Sequence, residues 1–324
     1  MIRAIRLHRP GGPENLQLET IHLPDPGPGE LLIRHAAAGV NYVDVYHRTG
    51  LYALPGLPAV IGVEGAGVVE AVGPGVEGFA PGDSVAWAGL PAGGYAEARI
   101  LPAERALRLP DGLDAVTAAS LLLRGITVHM LVNRVRPVVP GTTLLVHAAA
   151  GGLGLVLTQW AKQLGATVIG TVGSEEKAEI ARAHGLDHAI LYREEDFVAR
   201  TRDLTGGKGV DLAVDGIGGD IFRRTLDAVG LFGMLASVGQ AGGPAEPLDL
   251  AEIGPRRSLA VSRPSSFGYM ADIATYRAAL TEVLERAAGG LSAGPVSTMP
   301  LEAAADAHRA LEGRSTAGAL VLVP

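Results

Sequence analysis

Leu144-Leu145-Val146-His147-Ala148-Ala149-Ala150-Gly151-Gly152-Leu153-Gly154 is the stretch on which the fold turns. Leu144, Leu145 and Val146 suit a short buried strand, and Gln159-Trp160-Ala161-Lys162, beyond the glycines, suits a helix. Written against G-x-G-x-x-G, the turn reads Ala149-x-Gly151-x-x-Gly154, with Ala in place of the first Gly. Gly151 then lets backbone N–H groups approach a pyrophosphate, with Gly152 and Leu153 in the same turn, and Gly154 lets helix and strand pack closely. The plain alternative is an ordinary Gly-rich strand-to-helix turn. A membrane span is a poorer reading, although no formally charged side chain lies between Arg136 and Lys162. A span needs roughly 20 apolar residues in one helix, and the glycines split this run.

Working outward, strand and helix patterns alternate after Pro140. Strands are expected at 144–146, 168–171, 189–191, 212–215 and 234–238, with helices such as 175–184 and 222–229 between them. That alternation implies parallel strands joined by crossover helices, the doubly wound α/β pattern. The first third reads differently. Short strands at 68–72, 83–87 and 95–100 are broken by Pro74-Gly75, Pro81-Gly82 and Gly93-Gly94, which suits a small antiparallel β-barrel. Helical texture begins near Asp114, at 116–121 and 126–135. The tail carries a helix near 275–288 and a strand at 318–323, and its turn-rich junctions point back to the first domain. The expected division is 1–124 with 263–324 as one discontinuous domain, and 125–262 as the nucleotide-binding domain.

Bulk properties bound the function. A chain of 324 residues with 48% hydrophobic and 19% charged residues fills two folded domains. A formal net charge of −7, with Lys162, Lys177 and Lys208 far apart, argues against nucleic acid or an anionic membrane as partner. Cysteine is absent, which excludes disulfides, thiolate metal sites and Cys nucleophiles. Residues 1–7 read as a short strand, not a signal peptide's apolar core, so the cytoplasm is the expected location.

The second strand of the α/β region chooses the cofactor. NAD sites usually place Asp or Glu at its tip to hold the ribose 2′-hydroxyl. Here the strand runs into Gly173-Ser174, with no acid at the tip. Ser174 can donate to a 2′-phosphate, Lys177 lies one helical turn on, and Tyr192 ends the next strand. Glu175 and Glu176 count against this unless they point to solvent at the helix start, where acids are favoured. NADPH is the expected cofactor.

Five segments carry a family resemblance. They are Asn41-Tyr42-Val43-Asp44-Val45-Tyr46-His47-Arg48-Thr49-Gly50-Leu51-Tyr52, Pro58 through Val69, Ala148 through Gly154, Tyr192-Arg193-Glu194-Glu195-Asp196, and Ser262-Arg263-Pro264-Ser265. In this order, along almost the whole chain, they resemble the zinc-free, zeta-crystallin-like quinone oxidoreductases of the medium-chain dehydrogenase/reductase superfamily. The resemblance implies a Rossmann-type NADP-binding domain, a discontinuous GroES-like catalytic barrel and a homodimer paired near 258–262. It places Asn41, Tyr46, Tyr52 and Arg263 around the nicotinamide and substrate, in a cleft between the domains. Thr127, Val238 and Gly239 join the phosphate turn as cofactor contacts. Gly173, Ser174, Lys177 and Tyr192 fall near the adenosine end, and Arg314 is a further contact.

Departures from the zinc members of that superfamily shape the expected chemistry. Those enzymes ligate zinc through a Cys three residues before an Asp and through the His of Gly-His-Glu. This chain has Asn41 before Asp44, and Gly62-Val63-Glu64. Glu64 alone cannot make a zinc site, which needs about three protein ligands, and reads as a buried structural carboxylate. Each implied residue also has a plainer role: helix cap for Asn41, packing for Tyr46 and Tyr52, an ion pair for Arg263. The expected activity is hydride transfer from NADPH to a quinone, whose hydroquinone anion needs no Lewis acid. A reductase of enone or alkenal C=C bonds is the alternative, and a non-catalytic NADPH- or RNA-binding protein a more distant one.

Overall fold

Mostly apolar runs of three to nine residues make the parallel sheet, whose strands are buried on both faces. A computed structural model describes residues 1–313 and 316–324. The chain divides into two compact units: Met1–Ile126 with Tyr269–Pro324, and Thr127–Gly268. In the second unit the strands are β1 (Thr143–Val146), β2 (Thr167–Val172), β3 (His188–Leu191), β4 (Val210–Asp215), β5 (Val229–Ser237) and β6 (Ala260–Ser262). They lie in the order β3-β2-β1-β4-β5-β6, all parallel. The order reverses between β1 and β4, the switch point at which doubly wound sheets bind ligands. Leu145, Ile169, Ile190, Ala213 and Leu235 meet Phe197, Phe222 and Leu226 in one core. Each such fully buried Leu, Ile or Phe contributes roughly 1.5–3 kcal/mol.

One strand differs from expectation. β5 begins at Val229, well before residue 234, because it bulges: the pair Val210↔Val229 is followed by Leu212↔Met234. Within the bulge Phe232 takes a left-handed φ of 59° and is 70% exposed. No alternation of apolar residues announces such a segment.

The first unit is built on antiparallel pairing. Glu30–Val40 pairs with Glu64–Val72, Ala98–Pro102 and Ala319–Val323, and Ser84–Ala88 extends the sheet from Glu64–Val72. The strand starts at Glu64, ahead of the expected residue 68, because Gly65 and Gly67 lie inside it. A Cβ on Gly67 would come within 2.0 Å of the Arg34 carbonyl oxygen, so glycine here permits close pairing. Leu31, Ile33, Val69, Val85, Trp87 and Leu101 fill the barrel core. The helix Ile273–Ala288 is capped by Asp272, whose side chain accepts from the Thr275 N–H, and buries Tyr276, Ala279, Leu280, Val283 and Leu284 on one face. Among the described residues no helix is long and apolar enough to cross a membrane.

Candidate active site

In the first unit the site grows from the end of strand Glu30–Val40. Asn41 N-caps the helix Tyr42–Thr49, and its backbone N–H donates to Asp44 Oδ2 at 2.8 Å. Its side-chain nitrogen donates to Glu64 Oε1 at 2.5 Å. Glu64 is fully buried and also accepts from the Leu123 N–H at 2.7 Å and from Arg124 at 3.3 Å. Arg124 is itself buried and donates to the carbonyls of Ser120 (2.7 Å) and Val40 (2.8 Å). Burial pushes the Glu64 carboxyl up, against the opposing pull of Arg124, the Leu123 N–H and Asn41. A carboxylate only accepts, so this contact orients the Asn41 amide and uses one of its N–H groups.

Asp44 is fully buried behind Asn41. It accepts from Tyr95 Oη at 3.0 Å, and Tyr95 Oη lies 3.1 Å from His308 Nε2. Burial raises the Asp44 carboxyl to about 7, lifts the Tyr95 hydroxyl well above 10 and holds His308 down to about 3. Arg48 forks onto Glu312 with two 2.8 Å hydrogen bonds, fastening the same helix to Ala304–Glu312. On that anchored helix Tyr46 is buried, and Tyr52 just beyond it is 38% exposed. Their rings meet edge-on with centroids 5.2 Å apart, and the Tyr52 N–H donates to the Tyr46 carbonyl at 3.1 Å. The structure thus brings Asn41, Tyr46 and Tyr52 into one neighbourhood.

In the second unit the helix Gly152–Gln163 starts at Gly151 with no side-chain cap. Its first N–H groups are left for a ligand, and a helix N-terminus favours an anion. A Cβ on Gly154 would lie 2.6 Å from the Ala148 carbonyl oxygen and 2.7 Å from Ala149 Cα, which is the close strand-to-helix packing read from the sequence. At the β2 tip Ser174 caps the helix Glu175–Ala183, its Oγ accepting from the Lys177 N–H at 3.4 Å. Glu175 and Glu176 are both exposed, and Glu175 is paired with Arg182. Tyr192 Oη stands 3.1 Å from where a Gly173 side chain would begin. The donor set fits the 2′-phosphate of NADPH: a hydroxyl, an ammonium and a phenol, with no acid on the tip.

The remaining candidates are more scattered. Val238 and Gly239 follow β5, the Val238 N–H donating to the Asp215 carbonyl at 2.8 Å. Thr127 is half-buried in the helix Leu122–Met130. Arg263 belongs to the second unit and is exposed, reaching Ser237 Oγ (3.3 Å) and Gln240 Oε1 (2.7 Å); burial raises the Asp215 carboxyl, and the Arg263 charge opposes that rise. Arg314 lies outside the described residues. His147 is buried between Thr171 Oγ1 (3.0 Å) and Thr225 Oγ1 (2.8 Å). Arg124, Tyr95 and His308 were not found from sequence, since nothing local marks an arginine or histidine as buried. Among the described residues no group of three or more His, Cys, Asp or Glu side chains could hold a metal.

A sheet of this order, with a Gly-rich helix start at its switch point, is the architecture of a dinucleotide-binding protein. Comparison with known proteins narrows the class. Residues 27–111 match the alcohol dehydrogenase GroES-like domain and 152–285 match the family described as zinc-binding dehydrogenase. A 2-haloacrylate reductase of Burkholderia sp is 42% identical over 333 residues, covering 100% of this chain and 99% of that protein. A quinone oxidoreductase of Pseudomonas aeruginosa is 41% identical over 328 residues, covering both chains completely (100% and 100%). The crystal structure of Escherichia coli quinone oxidoreductase complexed with NADPH superposes with a TM-score of 0.95 at 38% identity, over 99% of this chain and 100% of that one. The chain belongs to the quinone oxidoreductase family of the medium-chain dehydrogenase/reductase superfamily.

Proposed function

We propose that the protein is an NADPH-dependent quinone oxidoreductase that works without a metal. The observation that carries this reading is its full-length similarity to quinone oxidoreductases, one of them complexed with NADPH. NADPH, when bound, supplies the hydride. The chain's residues do the rest. The N-terminus of Gly152–Gln163 takes the pyrophosphate, with Thr127, Val238 and Gly239 as further contacts. Ser174, Lys177 and Tyr192 take the 2′-phosphate. Tyr46 and Tyr52 offer aromatic faces to a planar substrate, and Asn41 and the Tyr52 hydroxyl donate to the oxygen that gains charge. Arg263 is a further substrate contact, and Arg314 a further cofactor contact. Water protonates the hydroquinone anion, so no residue here is an obligatory acid. The positions that hold zinc in related enzymes carry Asn41 and Val63, and Glu64 is engaged by Asn41, Leu123 and Arg124.

The similarity to a 2-haloacrylate reductase favours a second reading, reduction of an electron-poor C=C bond by the same hydride. NADPH oxidation with a panel of quinones and enones, run with and without a zinc chelator, separates the two. Fast turnover of 1,4-benzoquinone, unchanged by chelator, is the expected result. Turnover confined to enones moves the assignment to the second reading, and loss of activity on chelation refutes the metal-free mechanism. A cytoplasmic location, where NADPH is made and kept, completes the reading.

A homodimer belongs to the same proposal. β6 ends the parallel sheet, and Ala260-Val261-Ser262 is a short uncharged edge free of proline. Such an edge is a pairing hazard unless it is covered, and an isologous contact with a second copy covers it. Sedimentation at micromolar concentration should give a dimer, and Val261→Pro should give a monomer. A dimer untouched by that substitution would place the contact elsewhere.

A further inference from the structure

Ala148, in the turn that leads from β1 to the helix Gly152–Gln163, holds a left-handed φ of 52° although it carries a Cβ. Chirality disfavours that conformation for residues other than glycine, and it persists only where the surrounding structure fixes it. Two backbone hydrogen bonds bracket the residue. The Ala149 N–H donates to the Thr171 carbonyl at 3.0 Å, and the Gly151 N–H donates to the Ala148 carbonyl at 2.8 Å. The Ala148 carbonyl oxygen also lies 2.6 Å from where a Gly154 side chain would begin, so the start of the helix is seated against it. A change of φ at Ala148 would therefore displace the N–H groups with which that helix begins.

The other flank of Ala148 is His147, whose imidazole no step of the proposed reaction uses. Its backbone N–H donates to the Val214 carbonyl of β4 at 3.2 Å. Its ring joins Thr171 of β2 through Nδ1 (3.0 Å) and Thr225 of the helix Gly219–Ala228 through Nε2 (2.8 Å). The direction of each bond follows from the atoms. Thr225 Oγ1 lies 2.6 Å from the Ile221 carbonyl oxygen, which only accepts, so its one hydrogen goes there. Thr225 Oγ1 then accepts from His147 Nε2–H, and His147 Nδ1 accepts from the Thr171 hydroxyl. Every hydrogen is placed with the ring neutral, and burial keeps it neutral, lowering the imidazole to about 4. Phe197 closes over the ring edge-on, with centroids 5.0 Å apart. Both residues that flank Ala148 are thus tied to Thr171, His147 by its ring and Ala149 by its N–H.

We propose that His147 is a positioning residue for the dinucleotide: with Thr171 and Thr225 it clamps Ala148 in the left-handed conformation, which presets the N–H groups of the helix start for the pyrophosphate. The proposal rests on the reading of that helix start as the pyrophosphate site. A preset turn raises affinity without adding a contact, because it need not be ordered when the ligand arrives. The pyrophosphate is common to NADPH and NADH, so the clamp serves both. That separates His147 from Lys177, which acts on the 2′-phosphate alone.

Fluorescence titration of the full chain with NADPH and with NADH gives a readout free of turnover. His147→Phe keeps an aromatic ring against Phe197 and removes both hydrogen bonds. It should weaken the two cofactors by the same factor, roughly fivefold to thirtyfold, the left-handed penalty of an alanine expressed as an affinity. Glycine adopts that conformation freely, so adding Ala148→Gly to His147→Phe should bring both affinities back to within about threefold of the parent. A merely structural histidine would show no such rescue. The same gain from Ala148→Gly in the parent chain would mean that the two positions act independently, and would overturn the proposal. Where His147→Phe does not fold, Thr225→Val carries the test. It keeps the volume, leaves Nε2–H without its acceptor, and should weaken both cofactors by roughly twofold to tenfold, the scale of one hydrogen bond. Unchanged binding in these variants overturns the clamp and leaves the cofactor reading standing. A loss confined to NADPH places the effect at the 2′-phosphate and also overturns it. A parent chain that binds neither cofactor refutes the reading of the helix start, and the clamp with it.

Discussion

Glu64→Ala is expected to destabilise the protein by about 3–5 kcal/mol, the usual cost of removing one partner from a buried charge pair. The physical reason lies with the groups left behind. Arg124 is 8% exposed and would keep its charge with only the carbonyls of Ser120 and Val40 to accept from it. The Leu123 N–H and one Asn41 N–H would also lose their acceptor in a dry site. Glu64→Gln keeps the shape and one acceptor oxygen, so it should cost less than the alanine change. Urea unfolding measures both. A Glu64→Ala protein within about 1 kcal/mol of the parent would mean that Arg124 finds water or another partner.

Lys177→Ala is expected to weaken NADPH by roughly tenfold to a hundredfold, since a hydrogen bond to a charged group is worth about 1.5–3 kcal/mol. NADH should barely change, because it lacks the 2′-phosphate. The helix that carries Lys177 is capped by Ser174 and keeps both its first-turn acids exposed, so the backbone should survive the substitution. Fluorescence titration with each cofactor decides the matter. Equal losses for both would show that Lys177 does not read the 2′-phosphate, and would shift the discrimination to Ser174 and Tyr192.

How far the sequence could be read depended on whether the relevant interactions were local. The turn from Val146 to Gly154 was legible because strand, glycines and helix follow one another within a dozen residues, where periodicity and chirality act directly. Glu64 was legible as a buried carboxylate because, without Cys or His at the matching positions, it cannot make a zinc site. Its partner Arg124 was not, because the two meet only after the barrel has closed. Tyr95 and His308 join Asp44 across the whole length of the first unit, and neither spacing nor propensity can report such a contact. Gly65 and Gly67 misled, since glycine reads as a strand breaker although here it lets Glu64–Val72 lie close to Glu30–Val40. Arg99, buried over the Trp87 ring, could not be found either, since sequence carries no burial signal for a guanidinium stacked on an indole.

The pairing of Ala319–Val323 with Glu30–Val40 sets an order of events during synthesis. Leu320 pairs with Val40, and Leu322 with Ala38, so the central strand of the first unit waits for residues 319–323 to leave the ribosome. The second unit is one continuous stretch, Thr127–Gly268, and its whole sheet is available earlier. A nascent chain therefore completes its nucleotide-binding half first, while Glu30–Val40 stands with one edge open. Closing so long a loop costs little more entropy than closing a short one, because the cost grows only with the logarithm of length. The exposure is in time. Until the strand Ala319–Val323 arrives, the apolar inner face that holds Ala38 and Val40 is a target for chaperones, and deletion of residues 319–324 should leave the chain with them for good.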